Sequence, residues 1–331
     1  MKNLQVKVMT REILSTAPAK VILCGEHAVV YGEPALVTAI NLKAYCRLTE
    51  TKTGKIEIVS KNLGKSMSYT LDSREEPSKN ELYPILRSLL HILDKFDKRV
   101  SARIEISSEI PVSAGLGSSA AVPVACSAAL YYLINGKLDR EAIMEAAREA
   151  EKIIHGRPSG IDTMIATFGG VYAYRKFEEP IKIDVPKDFP KILVIDTGVK
   201  RSTGALVERV RKLKERYPKV IDPVIHAIGR LTIEAIYAIF DRDYERLGEL
   251  LTLNHRLLSA VGVSHEQLDL IVKTAVENGA LGAKLTGAGG GGCAIAICYE
   301  EHVEHVINAL KAQGFKCFSV NVSEDGVTIE E

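Results

Sequence analysis

Hydrophobic residues follow two different spacings along this chain, and each spacing predicts its own kind of element. Short apolar or alternating runs predict β-strands, because successive side chains on a strand point to opposite faces. Apolar residues three or four positions apart predict amphipathic helices over Glu81–Phe96 and Asp139–Ile154, and in four further segments between residues 203 and 278. The predicted strands are Ile13–Ala17, Lys20–Leu23, Pro34–Ile40, Ala44–Thr51, Arg103–Ser107, Ile192–Asp196, Ala283–Thr286, Ala294–Tyr299 and a stretch near 315–322, the last preceded by a helix near 301–313.

One long segment is apolar on every face. Residues 110–136 carry no charged side chain, but prolines, glycines and serines interrupt them before the ~18 uninterrupted apolar residues that a membrane span requires. We expect a loop followed by a buried helix over Ala120–Ile134, with Ser118 or Ser119 as its cap and Pro123 in its first turn. The segment therefore predicts a buried helix and no membrane span.

Three prolines, Pro180, Pro186 and Pro190, mark a candidate domain boundary. A chain of 331 residues exceeds the usual size of one core, so we expect two domains, residues 1–185 and 186–331. After the boundary the pattern runs strand, four helices, strand, glycine loop, strand, helix and strand. That order predicts an α+β layer with an antiparallel sheet.

Charge and cysteine usage narrow the class of protein. Lys and Arg number 43 against 42 Asp and Glu, which argues against a nucleic-acid-binding protein that works through bulk positive charge. The six cysteines are scattered without a CxxC pair, so a zinc site is not predicted. The first residues, MKNLQVKVMTREIL, lack the apolar core of a signal peptide. We expect a reduced, cytoplasmic enzyme.

Two glycine-rich stretches carry the candidate chemistry. Pro111–Ala121 reads PVSAGLGSSAA, and Lys284–Cys293 reads KLTGAGGGGC. A glycine loop that opens onto a helix offers backbone N–H groups and the helix dipole to an anion, and glycine lets phosphate oxygens approach the backbone. The alternative interpretation is a tight turn in the first stretch and close packing of a strand and a helix in the second.

The two loops differ from the common nucleotide-binding patterns, which narrows the kinds of phosphate ligand they could bind. A Walker A loop would need glycine at Val59, five residues before the Gly-Lys-Ser at 64–66. Both glycine stretches satisfy the relaxed dinucleotide pattern G-x-G-x-x-[GA], but no strand ending in an acid follows the first one. A nicotinamide-dependent oxidoreductase is therefore the weaker interpretation.

The most specific stretch is Ala17–Glu33, APAKVILCGEHAVVYGE, which closely resembles the first motif of mevalonate kinases. These enzymes belong to the superfamily of galactokinases, homoserine kinases, mevalonate kinases and phosphomevalonate kinases (GHMP). Pro111–Ala121 is similar to the superfamily's second, ATP-binding motif, and Lys284–Cys293 is similar to its third. Glu151–Asp162, EKIIHGRPSGID, resembles the mevalonate kinase segment between the magnesium glutamate and the catalytic aspartate. Galactokinases resemble the first motif only as far as Gly-Glu-His.

This resemblance implies an α+β fold with two domains and the active site in the cleft between them. The N-terminal domain would be similar to ribosomal protein S5 domain 2, and the C-terminal domain would be ferredoxin-like. The implied reaction is transfer of the ATP γ-phosphoryl group to the C5 hydroxyl of mevalonate. Asp162 resembles the base that accepts the hydroxyl proton, and Lys20 resembles the lysine beside it, whose charge would keep the carboxylate ionised.

The resemblance also implies a nucleotide and a metal site. ATP would lie on the second-motif loop, with Ser119 and Glu151 as ligands of Mg²⁺, and Ser118 as the alternative to Ser119. A solvated helix face is the alternative interpretation for Glu151, since Glu149 and Lys152 lie beside it. The residues implied to contact ATP are Pro111, Val112, Ser113, Ala114, Gly115, Leu116, Gly117, Ser118, Ser119, Ala120 and Ala121.

For the second substrate the resemblance implies Glu26, His27 and Thr203. Glu26 and His27 would face mevalonate, and Thr203 would orient mevalonate or the catalytic aspartate. Gly204 stands where the family usually has lysine, so any role of that position does not transfer. The implied partners are ATP and mevalonate, without nucleic acid or membrane, and a homodimer is left open.

Three other functions remain open at this point. A sister kinase acting on phosphomevalonate or a sugar would keep the loops and change the acceptor pocket. A mevalonate diphosphate decarboxylase would share the fold but should resemble Ala17–Gly32 less well. A catalytically silent ligand-binding relative would be expected to lose Lys20, Asp162 or Glu151, and all three are present.

Overall fold

The computed structural model describes residues 11–73, 77, 79–111, 115–156, 159–200 and 202–330. Within these residues the chain forms two layers, each an antiparallel or mixed sheet covered by helices. The first layer is built from β1 (Glu12–Cys24), β2 (Ala35–Thr51), β3 (Lys55–Ser60), β4 (Lys65–Thr70), α1 (Tyr83–Lys95), β5 (Ser101–Ser108), α2 (Ser118–Asn135), α3 (Arg140–His155), α4 (Ile161–Phe168), β6 (Val171–Tyr174) and β7 (Ile181–Ile183).

The second layer follows after the proline cluster. Its elements are β8 (Lys191–Asp196), α5 (Thr203–Arg216), α6 (Pro218–Phe240), α7 (Tyr244–Ala260), α8 (Glu266–Glu277), β9 (Gly282–Leu285), β10 (Cys293–Cys298), α9 (Glu300–Ala312) and β11 (Lys316–Val320). The strands pair in the antiparallel order β11-β8-β10-β9. The expected α+β architecture with an antiparallel second sheet is confirmed.

The core of the first layer forms around α2. This helix is apolar on all sides, and a helix of that composition is stable only when neighbours cover every face. It packs on β1 and β2 below and on α1, α3 and α4 beside it. Among the described residues, α2 and α6 are the two helices long and apolar enough to span a membrane, and their most apolar 18-residue stretches are 67% and 44% buried. The expectation of a buried helix is confirmed for α2.

The second layer does not contain the whole C-terminal half of the chain. A last strand, β12 (Thr328–Glu330), returns to the first sheet and pairs with the outer edge of β1. The hydroxyls of Thr16 and Thr328 lie 2.9 Å apart across this pairing. This strand covers the edge of β1, which would otherwise be left with unpaired backbone groups, and the division at residues 185 and 186 stays a prediction.

Local chemistry also shifts several predicted boundaries. Gly117, in the left-handed region at φ 80°, is the N-cap of α2. The prediction that Ser118 or Ser119 caps this helix is therefore wrong. Pro123 accordingly lies in the second turn instead of the first.

The two predicted strands before residue 24 are one strand, because a bulge after Pro18 lets β1 continue past the proline. The short helix α4 was not predicted.

Close backbone packing between a strand and a helix of the second layer gives a stability test. A Cβ on Gly282, in β9, would lie 1.8 Å from the carbonyl oxygen of Gly248, in α7. Gly282→Ala should therefore lower the free energy of unfolding by about 3 kcal/mol, since backbone must move to make room. The matched control is Gly204→Ala, where nothing lies within 4 Å and the helical backbone favours alanine. Urea denaturation measures both, and equal stabilities would contradict the packing described.

Candidate active site

A cavity of about 910 Å³ lies between the two layers. Its walls come from β1, the start of α2, the end of α3, the start of α4, the start of α5 and the segment after β9. The predicted site residues that line it are Lys20, Glu26, His27, Pro111, Gly115, Gly117, Ser118, Ser119, Glu151, Asp162 and Thr203. Leu116, Ala120 and Ala121 are buried behind this surface, and Val112, Ser113 and Ala114 lie outside the described residues.

An ion pair between Lys20 and Asp162 lies in this cavity. Lys20 Nζ is 3.1 Å from Asp162 Oδ1, with the lysine side chain 8% exposed and the aspartate 29% exposed. Asp162 projects from the first turn of α4, and Lys20 from the middle of β1. The pair places a carboxylate, which can accept a proton, beside a cation.

The loop before α2 is fitted closely to Lys20. The Lys20 N–H donates to the carbonyl oxygen of Leu116 at 2.9 Å, which joins β1 to the loop. A Cβ on Gly117 would lie 2.9 Å from Lys20 Cγ, and its φ of +80° suits glycine alone. Because Gly117 has no Cβ, the backbone of the loop can pack directly against the Lys20 side chain.

The start of α2 faces the same cavity. Because Gly117 is the cap, the hydroxyls of Ser118 and Ser119 are not used for capping and lie at the cavity wall. The first N–H groups of a helix have no partner within the helix, and its dipole favours an anion at this end. The geometry is suited to holding phosphate groups.

Glu151 reaches the cavity from the last turns of α3 and is 5% exposed. The Thr163 hydroxyl, in α4, donates to Glu151 Oε2 at 2.6 Å and so orients the carboxylate. Glu151 and Ser119 are both oxygen donors on neighbouring helices, which is the chemistry that Mg²⁺ prefers in sites with few protein ligands. These residues therefore fit the expected metal, and the buried position of Glu151 disfavours a merely solvated helix face.

Glu26 has partners that the sequence did not suggest. Its carboxylate is 1% exposed and accepts hydrogen bonds from Lys284 Nζ and from Asn254 Nδ2, the latter at 3.2 Å. Both carboxylate oxygens of Glu26 thus have partners within the protein, and the residue also borders the cavity, so that its contact with a substrate stays a prediction. The sequence signal for Lys284 is a charged residue inside the predicted apolar strand Ala283–Thr286.

His27 is held in an unusual conformation beside it. Its backbone has φ 61°, a left-handed value that a residue with a side chain adopts only under constraint. Nε2 lies 2.9 Å from the carbonyl oxygen of Ala288, and because a carbonyl only accepts, this nitrogen carries the hydrogen. The imidazole is 5% exposed at the cavity wall. His27 is therefore fixed in ring orientation.

The glycines of the third motif divide into two groups. Gly287 lines the cavity, together with Ala288. Gly289, Gly290 and Gly291 pack too closely for a side chain, each with a positive φ. The Gly290 N–H donates to the Val263 carbonyl oxygen at 2.8 Å, and the Gly292 N–H donates to the Val199 carbonyl oxygen at 2.9 Å. The sequence left phosphate binding and close packing as the two interpretations of this glycine run, and close packing describes Gly289, Gly290 and Gly291.

Thr203 is the first residue of α5 and one of the second-layer residues that line the cavity. Ser202 caps this helix by accepting from the Ala205 N–H at 3.5 Å. Gly204 also lines the cavity and leaves space there that a larger residue would fill. The cap directs the start of α5, and with it Thr203, toward the cavity.

Two titratable groups lie behind the site. Burial raises the pKa of the Cys24 thiol to about 12, so this cysteine is no nucleophile at neutral pH. Burial lowers the pKa of His255, whose Nδ1 accepts from the Leu285 N–H at 3.3 Å while Nε2 lies 3.0 Å from Asp269. A neutral His255 thus supports β9 next to Lys284.

Known proteins share this arrangement over nearly the whole chain. The profile of the GHMP kinases N-terminal domain matches residues 84–170, and that of the GHMP kinases C-terminal region matches residues 233–316. A mevalonate kinase of Thermococcus sibiricus is 38% identical over 334 residues, covering 96% of this chain and 98% of its own.

Two solved structures are similar in fold. The Methanococcus jannaschii mevalonate kinase superimposes with a TM-score of 0.85 at 30% identity, covering 96% of this chain and 99% of its own. An L. major mevalonate kinase in complex with R-mevalonate has a TM-score of 0.78 at 27% identity, covering 93% and 95%. The fold and site define a GHMP kinase. The chain belongs to the mevalonate kinase family within that class.

The burial of His255 predicts how stability depends on pH. Because its pKa is lowered in the folded protein, the unfolded chain binds a proton first, below pH ~6.5, and stability should fall as the pH drops further. The loss should approach ~1.4 kcal/mol per pH unit at most. His255→Asn, which keeps an acceptor and does not titrate, should flatten this dependence. Urea denaturation at pH 7.5, 6 and 5 measures it, with the exposed His305→Asn as control, and an unchanged slope in His255→Asn would contradict this role.

Proposed function

We propose that this chain transfers the γ-phosphoryl group of ATP to the C5 hydroxyl of mevalonate and forms 5-phosphomevalonate. The observation that carries the proposal is the Lys20–Asp162 pair, 3.1 Å apart in the cavity that also receives the start of α2. Membership of the mevalonate kinase family selects mevalonate among the alcohols that such a site could phosphorylate.

ATP lies with its phosphates at the start of α2 in this proposal. The N–H groups there, the dipole of the helix and the hydroxyls of Ser118 and Ser119 face the cavity. Ser119 and Glu151 would hold Mg²⁺, with Ser118 as the alternative hydroxyl. The ion, when bound, neutralises charge on the phosphates.

Asp162 acts on the acceptor. Its carboxylate takes the proton of the C5 hydroxyl as the hydroxyl oxygen forms a bond to the γ-phosphorus, and the bond between that phosphorus and the β,γ-bridging oxygen breaks. ADP leaves with the bridging oxygen. Lys20 lies beside this carboxylate and is placed to stabilise negative charge on the transferred group.

Mevalonate is an anion, and the site offers it an oriented polar group. His27 is the residue that we assign to a hydroxyl of mevalonate, because its Nε2–H is donated to the Ala288 carbonyl oxygen and the other nitrogen of a neutral ring accepts a hydrogen bond. Thr203 lines the same cavity. Glu26 supports His27 in place of contacting the substrate, because its carboxylate is bonded to Lys284 and Asn254. The cytoplasmic location and a homodimer remain predictions from the sequence.

The test is a coupled ADP-release assay with mevalonate, phosphomevalonate, galactose and homoserine as acceptors. We expect turnover with mevalonate and little with the others, because the site resembles that of mevalonate kinases beyond the shared phosphate loop. Turnover with another acceptor and none with mevalonate would contradict the proposal.

Asp162→Asn should lower kcat by about 10²- to 10⁴-fold, the usual contribution of a general base, while ATP still binds. The variant removes the proton acceptor and keeps the shape of the side chain. Asp184→Asn, on an exposed aspartate after β7, is the matched control and should retain full activity. Steady-state kinetics and nucleotide binding by calorimetry separate the two effects. Near-normal turnover in Asp162→Asn would remove this residue as the base.

Glu151→Gln should raise the Mg²⁺ concentration needed for half-maximal activity, by about tenfold, since an amide is a weaker ligand than a carboxylate. Glu149→Gln is the control on the same helix, because Glu149 pairs with Lys152 at 2.6 Å instead of lining the cavity. A magnesium titration of the initial rate measures both variants. Identical titration midpoints would count against Glu151 as a ligand.

A further inference from the structure

An ion pair between Glu26 and Lys284 is buried where the two layers meet. Lys284 is 0% exposed and Glu26 is 1% exposed. The ammonium also donates to the Leu285 carbonyl oxygen at 2.5 Å, and Asn254 donates to the second carboxylate oxygen of Glu26. Desolvating two charges offsets most of their attraction, so a buried pair of this kind is weak evidence for stability alone. Its position suggests another role.

Three residues spaced two apart, Lys284, Thr286 and Ala288, fasten the segment 284–288 to residues 22–27. Lys284 bonds Glu26, and the Ala288 carbonyl oxygen accepts from His27 Nε2 at 2.9 Å. Between them, the Thr286 hydroxyl accepts from the Ile22 N–H at 3.0 Å and donates to the Ile22 carbonyl oxygen at 3.1 Å. Every alternate position along this segment of the second layer thus contacts a residue of the first motif.

The residue at the end of this set of contacts is His27. Its φ of 61° is unfavourable for a residue with a side chain, so the surroundings must hold it. Glu26, the preceding residue, is fixed on both carboxylate oxygens, and the ring itself is fixed by Ala288. Neither Lys284 nor Asn254 lines the cavity, so neither is placed to contact a substrate there.

We propose that Lys284 and Asn254 are positioning residues that hold His27 in its substrate-binding orientation through Glu26. The inference rests on the proposed function in one respect, the assignment of His27 to mevalonate. The third motif of this chain then serves acceptor binding through Lys284, while its glycines pack the segment against the second layer. ATP, which lies at the start of α2, should be little affected.

The experiment compares Lys284→Met alone with the pair Lys284→Met and Glu26→Gln. The single variant leaves an unpaired buried carboxylate and should unfold at a lower temperature. The double variant removes both charges at similar volume and should recover most of the melting temperature. In the folded double variant we expect the KM for mevalonate to rise at least tenfold while the KM for ATP stays within twofold.

A second variant avoids the buried charge altogether. Asn254→Ala keeps the ion pair and removes one hydrogen bond to Glu26, so it should raise the KM for mevalonate by a smaller factor in the same direction. Asn278→Ala is the matched control, because Asn278 donates to the Thr274 carbonyl oxygen at the end of α8, away from the cavity. Its two KM values should equal those of the parent protein.

A double-mutant cycle with His27→Ala separates positioning from a general structural effect. If Lys284 and Asn254 act through His27, their substitution should change the KM for mevalonate little once His27 is alanine. An unchanged KM in the folded variants, or effects that multiply with that of His27→Ala, would overturn the proposal. Failure of the parent to phosphorylate mevalonate would overturn the proposed function instead, and the same cycle would then be measured on the acceptor that turns over.

Discussion

The arrangement of the site depends on the last third of β1, where the two layers of the protein meet. On one side the Lys20 N–H is bonded to the loop before α2, and on the other the Ile22 backbone is bonded to Thr286 of the second layer. The phosphate-facing loop and the acceptor-facing segment are thereby held at fixed positions relative to one strand. Any displacement of this strand would move Lys20, Glu26 and His27 together, since they lie within eight consecutive residues.

The charge of the site is arranged locally. The chain as a whole is close to neutral, with a formal charge of +1, although both proposed substrates are anions. Helix α2 offers N–H groups and its dipole, Lys20 is paired with Asp162, and Glu26 is neutralised by Lys284 behind the cavity. Burying Glu26 with its own cation keeps a carboxylate close to an anionic substrate without a net repulsive charge.

The sequence predicted the parts of this protein that depend on local patterns. The buried helix α2 and the amphipathic helices follow from periodicity. The proximity of Lys20 and Asp162 was implied only by the resemblance of their motifs to those of mevalonate kinases. The partners of Glu26 lie more than 200 residues away in the chain, and no local pattern links them. The same holds for β12, whose three residues are too few to show a period. Glycine runs are ambiguous for another reason, since packing and phosphate contact both require an absent side chain.

The most direct measurement is a crystal structure with a non-hydrolysable ATP analogue, Mg²⁺ and mevalonate bound together. The proposed function predicts the triphosphate at the start of α2, the C5 hydroxyl within hydrogen-bond distance of the Asp162 carboxylate and in line with the γ-phosphorus, and a polar group of mevalonate on His27. Mevalonate bound with its C5 hydroxyl away from Asp162, or a triphosphate outside the α2 loop, would contradict it.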